Sequence, residues 1–203
     1  MQTEEFLMKL SSSDPVPGGG GVCALVAALS ASLCSMVGNL TSGKKKYAQY
    51  QQDIERLIAR ACIRRESLFS FIEKDATAFE PLAKAYSIPK DDPGREEVLQ
   101  AALLEAATVP LGLMEEIAAM TDMIGELADK GSRLAVSDVG VAAALARSAI
   151  EGAVMNVYVN TRMMTDTEKA KEMEDKAAGL LEKTVEGCNR IYAQVLDELR
   201  PER

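Results

Sequence analysis

The chain contains no histidine and no tryptophan, and aromatic residues make up only 4% of its 203 residues. Without histidine there is no Ser-His-Asp or Cys-His triad, no HExxH zinc site and no imidazole base. Any proton transfer falls to Asp, Glu, Lys, Tyr or Cys. Few aromatics, with alanine the commonest residue, disfavour a β-sandwich and favour closely packed helices. Positive charge is also short. Lys and Arg number 23 against 31 Asp and Glu, a net charge of −8 that argues against nucleic-acid binding. CxxC pairs are missing too. Cys23, Cys34, Cys62 and Cys188 each lie in an apolar helical pattern and read as small buried hydrophobes in a reducing compartment. The N-terminal MQTEEFLMKL is acidic and too short for a signal peptide, so the expected location is cytoplasmic.

What is present is apolar helix. Val22 to Leu40 carries no charge and precedes Lys44, Lys45 and Lys46, a superficial likeness to a membrane span with a positive stop. Its large residues, including Leu25, Leu29, Leu33, Met36 and Leu40, repeat at helical spacing on one face. Ala24, Ala28, Ala31, Ser35 and Gly38 occupy the other, where a second helix can approach closely. A helix packed on both sides within a bundle is expected, not a membrane span.

A short leading helix and a loop over Ser11 to Gly21 precede this segment, and a break at Thr41–Gly43 follows it. A long pattern from Lys44 to Tyr86 has Pro81 as a kink near its end. Asp92 and Pro93 are set to open a helix over 94–130, bent at Pro110 and stopped by Gly131. Ser137 is placed to cap a helix reaching Met164, and a TDTE box at Thr165–Glu168 starts the last one. The expected fold is all-α: residues 1–203 as a single-domain bundle of long helices, dimerising through helix faces.

Gly18, Gly19, Gly20 and Gly21 stand directly before a helix. They form either a plain flexible turn or a cradle whose N–H groups take an anion or a flat ligand. Gly38 to Lys44 matches most of a Walker A loop, but position 45 is Lys rather than Ser or Thr and helix precedes it. A nucleotide P-loop is rejected. Lys44, Lys45 and Lys46 at a helix start oppose the macrodipole, which points to a carboxylate or anionic ligand nearby.

Asp75 occupies a seam, after Leu68 and Ile72 and before Phe79, where an apolar residue is expected. Desolvation there shifts its pKa, or a cation from the same helix pairs with it. Asn156 and Asn160 likewise extend an alanine seam, and buried amides need partners in protein or ligand. Asp138 lies beside a cap position, where either helix-dipole stabilisation or a ligand contact explains it.

Together, PVPGGGG, LTSGKKKY, DATAF and SDVGVAAALARSAIEGAVMNVYVN resemble the cyclodeaminase/cyclohydrolase family of folate enzymes. The resemblance implies an all-helical homodimer with a folate cleft near the dimer interface, and neither metal nor prosthetic group. It matches Gly18, Gly19 and Gly20 to the family's glycine turn, and Lys44, Lys45 and Lys46 to its lysine segment. Asp75 falls on its acid/base aspartate, and Asp138 and Asn156 on polar positions. The chain departs at Gly21, where Ser is usual, and at Lys130–Leu134, which replaces a stretch with Asn before SD.

The function so implied is hydrolysis of 5,10-methenyltetrahydrofolate to 10-formyltetrahydrofolate. Asp75 and Lys44 are the candidate catalytic residues; Gly18, Gly19, Gly20, Lys45, Lys46, Asp138 and Asn156 are candidate substrate contacts. Formiminotetrahydrofolate cyclodeaminase is the alternative, set second because the 203 residues hold no formiminotransferase half. A non-catalytic helical dimer that binds folate or scaffolds a protein is the third.

Overall fold

The structure is a computed structural model and describes residues 3–201. Seven α-helices account for nearly all of it, and no strand occurs among the described residues. They are α1 (Thr3–Leu10), α2 (Gly19–Thr41), α3 (Gln51–Ser87), α4 (Arg95–Ala118), α5 (Thr121–Lys130), α6 (Val136–Thr161) and α7 (Thr167–Leu199).

Helices α3, α2, α6 and α7 lie side by side, and α4 packs behind them against α3 and α6. Neighbours run antiparallel. The Gly21 N–H meets Asp75 of α3, and Ser30 of α2 donates to the Ala142 carbonyl of α6 at 2.8 Å. Large side chains at the centre come chiefly from α4 and α5: Leu113, Met114, Ile117, Met123, Ile124 and Leu127 are fully buried. Helices α2 and α6 contribute alanines instead, such as Ala24, Ala27, Ala31, Ala142, Ala146 and Ala153. Small residues let two backbones approach closely, and interior close packing then needs large partners from elsewhere.

Helix α2 therefore buries its small face and leaves large residues outside. Leu29, Met36 and Leu40 are 49%, 39% and 46% exposed. By length and composition α2 qualifies as a membrane span, but 61% of its apolar window is buried inside the fold.

Several boundaries differ from the sequence expectation. Helix α2 begins at Gly19, so three of the four glycines are helical. Lys45–Tyr50 forms a 3₁₀ turn before α3, which continues through Pro81 to Ser87. The 94–130 segment breaks at Ala119–Met120, not at Pro110, which lies buried inside α4. Pro110 is tolerated because the Ala106 carbonyl, which residue 110 lacks an N–H to reach, accepts from Asn160 Nδ2 at 3.0 Å. Gly94, not Asp92, caps α4, although Asp92 Oδ1 accepts from the Gly94 N–H. Helix α6 starts at Val136 after a 3₁₀ turn over Arg133–Ala135 and has no side-chain cap from Ser137. In the TDTE box Asp166 is the cap, accepting from Lys169 N at 2.9 Å.

Candidate active site at the start of helix α2

The N-terminus of α2 meets the middle of α3 and the C-terminal part of α6. Gly18 caps α2 with extended backbone and no side-chain bond. The first N–H groups of a helix have no intrahelical acceptor. The Gly21 N–H uses Asp75 instead, donating to its Oδ2 at 3.0 Å. Gly20 is required by contact: a Cβ there would overlap the Asp75 carboxylate. A Cβ on Gly19 would sit 3.6 Å from Asn156 Oδ1, placing that amide across the same turn. Asn156 is oriented by its own helix, donating to the Gly152 carbonyl at 3.0 Å. Gly152 in turn lets α2 come close, since a Cβ on it would lie 2.6 Å from Cys23 Sγ.

These groups open into a cleft of about 340 Å³. Gly18, Gly19, Gly20, Asp75 and Asn156 form its polar side, and Phe79, Leu82, Tyr86 and Met163 its apolar side. Tyr86 and Met163 touch through an Oη–Sδ contact of 3.4 Å. A larger hollow of about 440 Å³ lies beneath α1, between Phe6, Leu25, Phe69 and Ile72. It contains neither Asp75 nor the glycine turn, so the smaller cleft carries the candidate chemistry.

Asp75 makes no ion pair among the described residues. The alternative of a structural salt bridge within α3 is thereby removed. Burial raises its pKa above the ordinary value, and the Gly21 N–H pulls it partly back. Such a carboxyl can exchange a proton near neutrality more readily than a solvated one. Behind it, burial pushes the Cys23 thiol up to about 11, with the charge of Asp75 adding to the effect. Cys23, Cys34 and Cys188 are buried free thiols, and Cys62 is half-buried. No group of three or more Cys, Asp and Glu among the described residues is placed to hold a metal.

The remaining candidates are elsewhere. Lys44 follows the far end of α2, about 34 Å from Gly19 at 1.5 Å per residue. Its Nζ donates to Ser132 Oγ at 3.3 Å, and Ser132 N donates to Thr41 Oγ1 at 2.8 Å. Lys45 and Lys46 are exposed beside it, Lys46 lying over the Tyr47 ring at 5.6 Å. Tyr47 accepts from the Arg133 N–H, which with nearby Lys46 lowers the phenol pKa. Asp138, in the first turn of α6, belongs to this end as well. Within one chain the structure unites Gly18, Gly19, Gly20, Asp75 and Asn156, and separates them from Lys44, Lys45, Lys46 and Asp138. Lys130, in the segment that departs from the family pattern, pairs with Asp53 and Glu126 rather than with either group.

The sequence did not single out Phe79, Tyr86 or Met163 as cleft residues. Phe79 follows the core stripe of α3, and Tyr86 and Met163 are brought together across 77 positions by tertiary packing.

An all-helical fold carries a half-buried carboxylate, without an ion-pair partner among the described residues, at a glycine-opened helix start: a candidate small-molecule site whose groups suit acid/base chemistry. Comparison with known proteins is specific. Residues 2–179 match the family model described as formiminotransferase-cyclodeaminase, and the chain belongs to that family. It is 37% identical over 196 residues to the methenyltetrahydrofolate cyclohydrolase of Methylorubrum extorquens, covering 95% of this chain and 94% of that protein. It is 34% identical over 198 residues to the formimidoyltransferase-cyclodeaminase of Sus scrofa, covering 96% of this chain and 36% of that longer protein. The crystal structure of formiminotetrahydrofolate cyclodeaminase from Thermotoga maritima matches with a TM-score of 0.89. The two are 31% identical over 98% of this chain and 97% of that one.

Proposed function

We propose that the chain hydrolyses 5,10-methenyltetrahydrofolate to 10-formyltetrahydrofolate, with residues 1–203 acting as one cytoplasmic, homodimeric helical unit. The observation that carries the chemistry is Asp75: half-buried, without an ion-pair partner among the described residues, and held by the Gly21 N–H against the cleft. The likeness to a cyclohydrolase over nearly the full length of both chains supports the substrate.

The reacting carbon belongs to an amidinium cation, and the Asp75 carboxylate offsets that charge in a site of reduced polarity. As general base it takes a proton from water while the water oxygen bonds to the carbon. The tetrahedral adduct then breaks its bond to the ring nitrogen, which receives the proton from Asp75. The hydroxyl becomes the formyl carbonyl and releases its proton to solvent. In this reading Asn156 and the N–H groups of Gly19 and Gly20 hold the polar edge of the pterin. Phe79 and Leu82 cover its faces. No prosthetic group enters this scheme.

Cyclodeamination of formiminotetrahydrofolate is a second reading, favoured by the structural match to a protein of that name. Absorbance loss from methenyltetrahydrofolate, run beside ammonia release from formiminotetrahydrofolate, separates the two. Turnover of the first substrate is expected; turnover of the second alone overturns the proposal.

A further inference from the structure

The polar side of the cleft sets hydrogen-bond donors and acceptors in a fixed order. The first N–H groups of α2 lack acceptors within the helix. That of Gly21 goes to Asp75, while those of Gly19 and Gly20 meet no side-chain acceptor among the described residues. Asn156 and Asn160 continue the wall on α6, one turn and about 6 Å apart on one face. Both are half-buried.

Chemistry decides which way the two amides point. A main-chain carbonyl only accepts, so the side-chain atom that meets one is the nitrogen. Asn160 Nδ2 uses both of its hydrogens, on the Ala106 carbonyl at 3.0 Å and the Asn156 carbonyl at 2.8 Å. What remains is Oδ1, an acceptor with no donor among the described residues. Asn156 donates one hydrogen to the Gly152 carbonyl at 3.0 Å and keeps its oxygen and a second N–H. A ligand that displaces solvent here must bring N–H groups of its own or leave these oxygens unpaired.

Gly20 lies against Asp75, and Gly19 lies across from Asn156. From Asp75 the order along the wall is therefore carboxylate, glycine N–H, Asn156 amide, Asn160 oxygen. The edge of a reduced 2-amino-4-oxopteridine has the complementary order: the bridged nitrogen N5, the 4-oxo acceptor, the N3–H donor, the 2-amino donor.

We infer that Asn160 is a specificity-determining residue whose Oδ1 accepts the 2-amino group of the pterin. Asn156 Oδ1 takes the N3–H, and the glycine N–H groups take the 4-oxo oxygen. This register leaves the one-carbon bridge beside Asp75. A 2,4-diaminopteridine is rejected, because its bare N3 faces the Asn156 oxygen and its 4-amino group faces the glycine N–H groups. The inference deepens the proposed function and rests on its folate reading.

Asn160 also serves the fold through the carbonyl that Pro110 leaves open, so its variant is made in a Pro110→Ala background, where the helix supplies that N–H. Calorimetry under anaerobic conditions gives the Kd of tetrahydrofolate, its 2-desamino-2-methyl analogue and its 2,4-diamino analogue. The wild-type chain and Pro110→Ala should bind both analogues at least ~10-fold more weakly than tetrahydrofolate. Pro110→Ala/Asn160→Leu, with folding verified by circular dichroism, should lose about 10-fold for tetrahydrofolate and no longer distinguish it from the 2-methyl compound. Equal wild-type affinity for tetrahydrofolate and either analogue overturns the inference without any variant. So does a double variant that keeps the parent's affinity and preference. If the wild-type chain shows these preferences but turns over neither folate substrate, the reaction assignment fails and the register stands. If it turns over methenyltetrahydrofolate without them, the register fails and the reaction stands.

Discussion

Gly20 faces Asp75 so closely that the glycine hydrogen marks the limit of the space: any Cβ there would overlap the carboxylate. The next N–H, from Gly21, donates to Oδ2 at 3.0 Å. The glycine turn is thus a seat for one side chain as well as a surface for a ligand. Its chemistry and its lack of side chains have the same cause.

Gly20→Ala should displace Asp75 by a large fraction of an ångström without unfolding the chain. Misplacement on that scale lowers turnover by about 10²-fold. Gly179→Ala is the control, because a Cβ there, on α7 and outside the cleft, meets nothing within 4 Å. Steady-state kinetics of both variants, with circular dichroism to verify folding, check the contrast.

Asp75 should lower stability at neutral pH. Burial raises its folded-state pKa above the unfolded value, so the folded chain binds more protons than the unfolded chain between those two values. Stability attributable to this group is highest below the unfolded pKa and falls as pH rises through the folded one. Asp75→Asn should therefore raise the melting temperature at pH 7, and the gain should shrink as the pH is lowered towards the ordinary Asp pKa of about 3.9. A gain that grows on acidification contradicts the desolvated placement.

Asn160 and Pro110 should be energetically coupled. The Asn160 amide fills the Ala106 carbonyl that Pro110 cannot reach, at the edge of the cleft. Asn160→Leu leaves that carbonyl unpaired, at a cost of about 1–3 kcal/mol. In a Pro110→Ala background the helix supplies its own N–H, and most of this loss should vanish. A denaturant double-mutant cycle measures the coupling; additive effects contradict it.

Helical spacing made most of the fold legible. Asp75 stood out because a carboxylate replaced an apolar residue on the α3 seam, and in the structure it is half-buried there with no ion-pair partner among the described residues. Other features depended on distant partners. Pro110 reads as a bend only if no side chain is available for the Ala106 carbonyl, and Asn160 arrives from 54 residues away. The buried face of α2 is the alanine face because α3 and α6 approach closely there, so the larger residues end outside. The separation of Lys44 from Asp75 follows from the length of α2, yet similarity of motifs alone places them in one site. Local pattern specifies helices and seams; it does not specify how far apart two motifs end up.

In the proposed mechanism Asp75 is the acid/base group for hydrolysis of the methenyl bridge. The direct measurement is the kcat and KM of the wild-type chain and Asp75→Asn on 5,10-methenyltetrahydrofolate, followed by absorbance across pH. Asp75→Asn is expected to lower kcat by about 10²–10⁴-fold with little change in KM. The acidic limb of the wild-type profile should lie above the ordinary carboxylate pKa and be lost in the variant. Unchanged kcat in Asp75→Asn, with the acidic limb intact, would contradict it.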